Sequence, residues 1–358
     1  MAALQSTVHS NSPNRDKDHY HETGDSIIRV ENVLFKIHKF PLTHNSSVFA
    51  TMFNLPVGIG NMEGLSDDIP IVLEGEKAED LQAVLKYIYA PPVQTQMERI
   101  TIAALPEIIS LVKLSHKYGM DHWKEWGVQV VKRLLDDLDS VPTEHLQPLY
   151  SLYNLVGDAA ARARVMKHWC EVIEANKLSI VPALDAASTC DDQDAMTDVY
   201  CIQIRRWEKA NVFEPTSYSE EGVCEAHIQR IRSGYMSLSL SWSQFRSRES
   251  PYPHYCTEDT YKAHCIPSSR QKWAEAIADA EARYPHLTQL TSRLSHIAEY
   301  LQDNNRRPVP FSRCFFRVVK LFQSELRNVH TYSLTKFFFP ARELVSIDPN
   351  DIPVYSQL

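Results

Sequence analysis

The chain has 358 residues, of which 44% are hydrophobic and 23% are charged, and its formal net charge is -8. This length exceeds what one ordinary hydrophobic core supports, so we expect two or three globular domains. The acidic balance argues against a broad phosphate-binding surface, and we therefore expect no direct nucleic-acid binding. No apolar run approaches the roughly 18 residues that a membrane-spanning helix needs, so we expect no membrane insertion.

Cysteine usage and the N-terminal residues bear on the cellular location. The chain has seven cysteines, and none of them precedes Cys170. An odd number of cysteines without a secretion signal predicts reduced thiols in the cytoplasm or the nucleus. Residues 1–24 are polar and contain no apolar strand. We interpret them as a disordered leader.

The stretch that follows the leader combines two short β-rich runs with a helical pattern. Ser26–Val30 and Val33–Ile37 are separated by Glu31-Asn32, which predicts a β-hairpin. Residues 41–53 then place apolar side chains at helical spacing and predict one helix. His38 stands between the hairpin and this helix, where we expect its imidazole to hydrogen-bond nearby backbone or Asp25 rather than to do chemistry.

The next elements are one strand and three helices. The pattern predicts a strand at 69–73, followed by helices at Ala78–Tyr89, 105–120 and 121–138. We expect Asp121 to cap the third of these helices. We expect the helix to bury Trp123, Trp126, Val130, Leu134 and Leu138. Gly127 lies in its middle, which predicts a local loosening that costs about 1 kcal/mol relative to alanine.

The order of hairpin, histidine and helix resembles the start of a BTB/POZ domain, a protein–protein interaction module. The matching positions are His38, Leu42, Ser46, Phe49, Met52 and Phe53, together with Asp25 and Tyr89. The resemblance covers about residues 25–140 and implies an α+β fold with a small sheet flanked by helices. It also implies homo-oligomers or partner docking through the first helix, with Leu42, Val48, Phe49, Met52 and Phe53 as the candidate contact residues. We expect about half of these five at the interface and the others to face the core.

The remainder of the chain reads as mainly α-helical. Helices are predicted at 143–156, 158–175, 179–189 and 194–211, and this order resembles the BACK extension that follows many BTB domains. The side chains expected to point inward are Leu149, Tyr153, Met166, Trp169, Ile173, Leu184, Tyr200 and Trp207. Further helices are predicted at 268–282 and 286–303, within a helical region that spans 141–304. Residues 305–358 predict one helix at 312–329 and an irregular tail, to which we assign no role.

One group of cysteines and histidines has a pattern that could bind metal. Cys224 and His227 are three residues apart, and Cys256 and Cys265 could complete a tetrahedral zinc site, with His264 as an alternative ligand. Eight residues separate Cys256 from Cys265, whereas two separate the paired ligands of a compact zinc motif. Cysteines are also often buried as small apolar side chains. Structural zinc and inert thiols both remain open, and no other cofactor is expected.

The sequence therefore favours a non-enzymatic interaction protein with a regulatory role. It has no Gly-rich phosphate loop, no His-Glu-x-x-His pair and no Gly-x-Ser-x-Gly turn. One alternative is a substrate adaptor that binds a cullin scaffold of a ubiquitin ligase. Family adaptors carry an apolar-x-Glu triplet, but Asn61 stands two residues before Glu63 here. A second alternative is an enzyme that uses the C-terminal Cys/His group, such as Cys224, His227 or Cys265.

Overall fold

A computed structural model of the chain describes residues 13–54, 63–210, 222–247, 259–302 and 334–339, and only the backbone of 259–269. The chain divides into two compact units, Met1–Trp169 and Cys170–Leu358. The first unit is α+β and the described part of the second is helical. The predicted fold class is therefore confirmed.

A four-stranded sheet forms the β part of the first unit. Its strands are β1 (Asn14–Tyr20), β2 (Ser26–Val30), β3 (Val33–Ile37) and β4 (Ile71–Val72), in the spatial order β1-β3-β2-β4. The predicted hairpin is confirmed, because β2 and β3 pair antiparallel, while β1 and β4 run parallel to their neighbours. The strand predicted at 69–73 is shorter than expected, since only two residues join the sheet.

The turn of the hairpin also supports a helix. Glu31 has a φ of 51°, in the left-handed region that a tight two-residue connection requires. Its carboxylate accepts a hydrogen bond from the backbone N–H of Ala78 at 2.9 Å. Ala78 is the first residue of α3 (Ala78–Tyr89), so a negative charge lies at the helix N-terminus, where the helix dipole stabilises it.

The prediction of a disordered leader was wrong for residues 14–20, which form β1. This strand has almost no apolar side chains, and polar contacts hold it at the sheet edge. Asp67 accepts hydrogen bonds from Arg15 Nη2 at 2.7 Å and from Tyr20 Oη at 2.6 Å. Asp16 accepts one from Gln82 Nε2 at 2.6 Å. The partners of β1, Asp67 and Gln82, are more than 45 residues away in sequence. No local sequence pattern therefore indicates the strand.

The single helix predicted at 41–53 is two short helices, α1 (Lys39–Asn45) and α2 (Ser47–Phe53). Ser46 separates them with an extended backbone, at φ -142° and ψ 121°. Its Oγ accepts a hydrogen bond from Phe49 N at 2.9 Å and donates one to the Tyr118 carbonyl. Ser46 therefore acts as the N-cap of α2, a position that serine favours over the middle of a helix.

Two further helices pack against α3 and complete the core of this region. They are α4 (Leu105–Lys117) and α5 (Asp121–Leu134). The predicted cap was wrong, because Asp121 is the first helical residue and pairs with Lys124 at 2.7 Å instead. Val130 is buried as predicted. The other four expected core residues are only half-buried: Trp123, Trp126 and Leu134 of α5, and Leu138, which lies beyond the end of this helix.

Gly127 of α5 packs against α4, in contrast to the loosening that was predicted for it. The residue is buried, and a β-carbon there would lie 2.5 Å from Val112 Cγ2 and 3.8 Å from Ile108 Cγ2 on α4. Glycine is therefore the residue that lets the two helices approach closely. The predicted loosening is wrong, because the missing side chain is replaced by contact with the neighbouring helix.

The helices after residue 140 match the predicted series. They are α6 (Leu146–Leu155), α7 (Ala159–Asn176), α8 (Val181–Thr189) and α9 (Gln193–Ala210). All eight side chains that were predicted to point inward are buried. Because α6 packs on α4, the first compact unit continues past residue 140 and ends within α7.

The second unit continues with α10 (Glu225–Ser247), α11 (Asp259–Arg283), α12 (Leu290–Gln302) and the short α13 (Thr335–Phe338). Helix α10 was not predicted, although its buried residues recur at helical spacing: Ile228, Ile231, Leu238 and Trp242. Trp242 Nε1 donates to Glu281 Oε1 at 3.0 Å and links α10 to α11. The helix predicted at 312–329 lies outside the described residues.

Candidate interaction surface

The start of α1 is fixed by a set of hydrogen bonds around His38. The backbone N–H of His38 donates to Tyr89 Oη at 2.9 Å, and His38 Nδ1 lies 3.2 Å from the same oxygen. The other ring nitrogen, Nε2, lies 3.1 Å from Thr23 Oγ1. Asp25 accepts instead from the backbone N–H of Lys39 at 2.7 Å. His38 is thus architectural, but its ring meets hydroxyls rather than the predicted backbone or Asp25.

Two of the five predicted contact residues are not available to a partner. Leu42 is 1% exposed and Phe49 is fully buried. The Phe49 ring stacks on Tyr118, with 4.6 Å between the ring centroids. Their assignment as partner-binding residues was wrong, because these two side chains anchor α1 and α2 to the core of the domain.

The remaining predicted residues are at least partly exposed, and α1 exposes two further side chains that were not predicted, Phe40 and His44. Val48 is 43% exposed, while Met52 and Phe53 are half-buried. Phe40 is 71% exposed and stacks on His44 with 5.4 Å between the ring centroids. We call this set the α1–α2 surface: Phe40, His44, Val48, Met52 and Phe53.

Phe40 could have been found from its spacing. It lies two residues before the buried Leu42 and four before His44, so on a helix it shares a face with His44 and not with Leu42. A large aromatic side chain exposed on a helix whose other apolar residues are buried is an unusual feature of a protein surface. The α1–α2 surface is therefore a candidate for contact with another protein.

A second exposed apolar group lies beside the edge strand β4. Leu65 is 57% exposed, Ile69 is 46% exposed and Val72 is 39% exposed. They follow Gly64, whose carbonyl accepts a hydrogen bond from Ile27 N at 2.7 Å and ties this segment to β2. Glu63 is exposed at the start of the segment, and Asn61 lies outside the described residues.

Three histidines gather around Tyr89 at the end of β1. The ring centroid of His21 lies 5.6 Å from that of His38 and 4.7 Å from that of Tyr89. The His19 ring stacks on Tyr89 at 6.2 Å. His19 Nδ1 and His21 Nε2 are buried and have no hydrogen-bond partner among the described residues. Burial lowers the pKa of His19, against the opposing effect of Asp16.

The predicted metal ligands can be located only in part. His227 Nδ1 lies 2.7 Å from Tyr200 Oη, and His227 Nε2 lies 3.2 Å from Ser188 Oγ. Cys224 is exposed at the start of α10. Cys256 lies outside the described residues, as do the side chains of His264 and Cys265. Among the side chains that are described, no group of three or more His, Cys, Asp or Glu residues is arranged to hold a metal ion.

The described cysteines of the second unit differ in their surroundings. Cys201 is buried in α9, and burial raises the pKa of its thiol to about 12. Burial likewise raises the pKa of Cys170 to about 12. Because the thiolate is the nucleophilic form of cysteine, burial disfavours the reactive form of both side chains. Cys201 packs as a small apolar residue of the core.

The geometry of the first unit defines its class. It is a small mixed sheet covered by helices, in which His38 has a structural role. Apolar side chains are exposed on α1, on α2 and at the edge of the sheet. These are features of a protein-interaction module. Residues 15–131 match the family model of the BTB/POZ domain, and this part of the chain is a BTB/POZ domain.

The comparison supports the predicted resemblance and extends it towards the N-terminus. The match begins at residue 15, within β1, rather than at residue 25. No curated protein shows a significant match to the chain. In the ranges that the structure describes, no helix combines the length and the apolar character needed to cross a membrane.

Proposed function

We propose that the chain is a regulatory interaction protein that self-associates through the α1–α2 surface of its BTB/POZ domain. The observation that carries the proposal is the exposure of Phe40 and Val48 on helices whose inward residues, Leu42 and Phe49, are firmly anchored. The apolar side chains are thus presented on a rigid support rather than on a loop. Burying them against a second copy would remove apolar area from water at about 25 cal/mol per Å².

Symmetry supports a second copy of the same chain as the partner. Soluble oligomers are most often two-fold dimers, in which one patch contacts the same patch on the other copy. A mainly apolar patch such as Phe40 with Val48 is complementary to itself, because it presents no net charge that would repel its copy. Lys39 lies beside it with Nζ 5.7 Å from the Phe53 ring, so the nearest cationic side chain stacks on an aromatic member of the surface.

The test is the size of the full-length chain in solution. We expect a dimer at micromolar concentration by analytical ultracentrifugation. The double variant Phe40→Asp/Val48→Asp should be monomeric, because two charges would be desolvated at the interface. Val93→Asp is the matched control, since Val93 has the same 43% exposure as Val48 and belongs to the same unit.

Two outcomes decide the proposal. A wild-type chain that stays monomeric at high micromolar concentration would remove self-association through any surface. A dimer that survives the Phe40→Asp/Val48→Asp substitution with unchanged affinity would place the interface elsewhere. Any fragment used for this purpose has to start before Asn14, because a shorter one would lose β1 and its contacts with Asp67 and Gln82.

A substrate adaptor that binds a cullin scaffold is the second candidate function. It is favoured by the exposed apolar residues Leu65 and Ile69, which follow Glu63 in the segment leading to β4. Co-purification of a cullin with the full-length chain, lost in Leu65→Asp/Ile69→Asp and kept in Val93→Asp, would support the adaptor function. In this function the helical unit beyond residue 170 would present the surface that selects the substrate.

A further inference from the structure

A short segment near the C-terminus lies in a groove of the second unit. Residues 334–339 contain α13, which packs against α9 and α10. Phe338 is 3% exposed and is the buried residue of this helix. Its ring centroid lies 5.4 Å from that of Tyr200 on α9.

The floor of the groove is shaped for this aromatic ring. Gly234 lies in the middle of α10, and a β-carbon there would overlap the Phe338 ring. Glycine in the middle of a 23-residue helix costs stability relative to alanine. At this position the cost is offset by the space that the missing side chain leaves for the ring.

The neighbouring residues of the segment make polar and aromatic contacts with the walls of the groove. Phe339 stacks on Tyr200 with 6.1 Å between the centroids, and the Arg230 guanidinium carbon lies 4.6 Å from the Phe339 ring centre. Thr335 Oγ1 donates to Asp194 Oδ1 at 2.5 Å. The contacting residues are therefore spaced as Thr-x-x-Phe-Phe.

We propose that the groove between α9 and α10 is a binding site for peptides of the Thr-x-x-Phe-Phe type, which residues 334–339 of the same chain fill in cis. A four-residue helix does not persist by itself, so α13 owes its conformation to the groove. The segment contacts the groove through the side chains of Thr335, Phe338 and Phe339. This is how short peptide motifs are bound by helical domains, through anchors at i, i+3 and i+4.

The cis arrangement controls access to the site. A segment tethered to its own groove has an effective concentration of the order of millimolar, so a free peptide competes poorly with it. Weakening the segment opens the groove to a partner peptide of the same chemistry. The site lies in the second unit and does not depend on the function proposed for the BTB/POZ domain.

The test uses the full-length chain and a fluorescent synthetic peptide that corresponds to residues 333–342. Fluorescence anisotropy should show that Phe338→Ala/Phe339→Ala binds this peptide at least tenfold more tightly than the wild-type chain does. The same peptide with both phenylalanines changed to alanine should not bind. Adding Gly234→Leu to the double variant should abolish binding, because the leucine side chain would occupy the space that the Phe338 ring fills in the wild-type chain.

Met236→Leu in the same background is the matched control, since Met236 is also on α10 and is 71% exposed. Peptide binding should be unchanged by it. The proposal is overturned if the double variant keeps its helical circular dichroism signal and does not bind the peptide. It is overturned equally if the phenylalanine-free peptide binds as well as the original.

A milder variant keeps the test decisive if the double variant unfolds. Thr335→Val leaves the buried Phe338 in place and removes the hydrogen bond to Asp194 from the cis segment alone. The free peptide retains its threonine, so it should bind the Thr335→Val chain several-fold more tightly than it binds the wild-type chain. Identical peptide affinity for the wild-type and the Thr335→Val chains would contradict the proposal.

Discussion

Gly127 of α5 lies directly against Val112 of α4, so that a β-carbon on the glycine would come within 2.5 Å of Val112 Cγ2. Both residues are buried, and the valine side chain is branched at its β-carbon and has little rotational freedom. The close packing of α4 and α5 in the BTB/POZ domain therefore requires a residue without a side chain at position 127.

We expect Gly127→Ala to destabilise the chain by about 1 kcal/mol, although helix propensity alone predicts a gain of similar size. The reason is overpacking, which costs about 1–3 kcal/mol in a well-packed core. Urea unfolding followed by circular dichroism measures the change. Val112→Ala is the matched partner, and the double variant should lose less stability than the sum of the single variants. A more stable Gly127→Ala chain would contradict the close packing.

The hydrogen bond from His38 N to Tyr89 Oη predicts a local change in amide exchange. Tyr89→Phe removes the acceptor and should cost about 1 kcal/mol, while exchange of the His38 amide becomes faster. The adjacent Lys39 amide is an internal control, because Asp25 accepts its hydrogen bond. Asp25→Ala should show the opposite pattern, with faster exchange at Lys39 only. Equal effects on both amides in both variants would show that α1 opens as one unit.

The buried His19 predicts that the domain loses stability as the pH falls. Burial lowers its pKa in the folded chain below the ordinary value of about 6.5. The unfolded chain therefore takes up a proton first, so stability is complete above about pH 6.5 and declines as the pH falls below it. Asp16 and Asp18 reduce this effect, since their charges favour the protonated ring, and the neighbouring His21 adds to it.

Urea unfolding at pH 7.5 and 5.5 measures this dependence. His19→Gln should lose less stability between the two values than the wild-type chain does, and His122→Gln on the exposed start of α5 should behave as the wild type. Some pH dependence should remain in His19→Gln, because burial also lowers the pKa of His227 in the second unit. Identical losses in the His19→Gln and wild-type chains would rule out His19 as a source of the acid sensitivity.

The surroundings of His227 predict the outcome of a metal analysis. Both of its ring nitrogens lie within hydrogen-bond distance of a hydroxyl, from Tyr200 and from Ser188. A zinc ion would have to displace one of these partners, so we expect no stoichiometric zinc on the purified full-length chain by mass spectrometry of the metal content. One zinc per chain that is lost in Cys224→Ser and kept in Cys190→Ser would establish the structural zinc site instead.

The sequence by itself determined the elements whose stability comes from an apolar face. The hairpin β2–β3, the helix Ala78–Tyr89 and the helical series from α6 to α9 follow from local periodicity, which records which side chains are buried. The BTB/POZ resemblance could also be recognised locally, because its positions His38, Ser46 and Phe49 lie close together in sequence. The missed α10 carries such a periodicity too, at Ile228, Ile231 and Leu238.

Only the tertiary structure decided the features that depend on partners distant in sequence. The polar strand β1 is ordered by Asp67 and Gln82, and Ser46 divides α1 from α2 while it bonds to Tyr118. Which apolar residues between 39 and 53 are exposed also depended on where the core lies, which left Phe40 and Val48 outside and Leu42 and Phe49 inside. Periodicity marks a residue as apolar, but the packing of the whole domain determines the side from which it is covered.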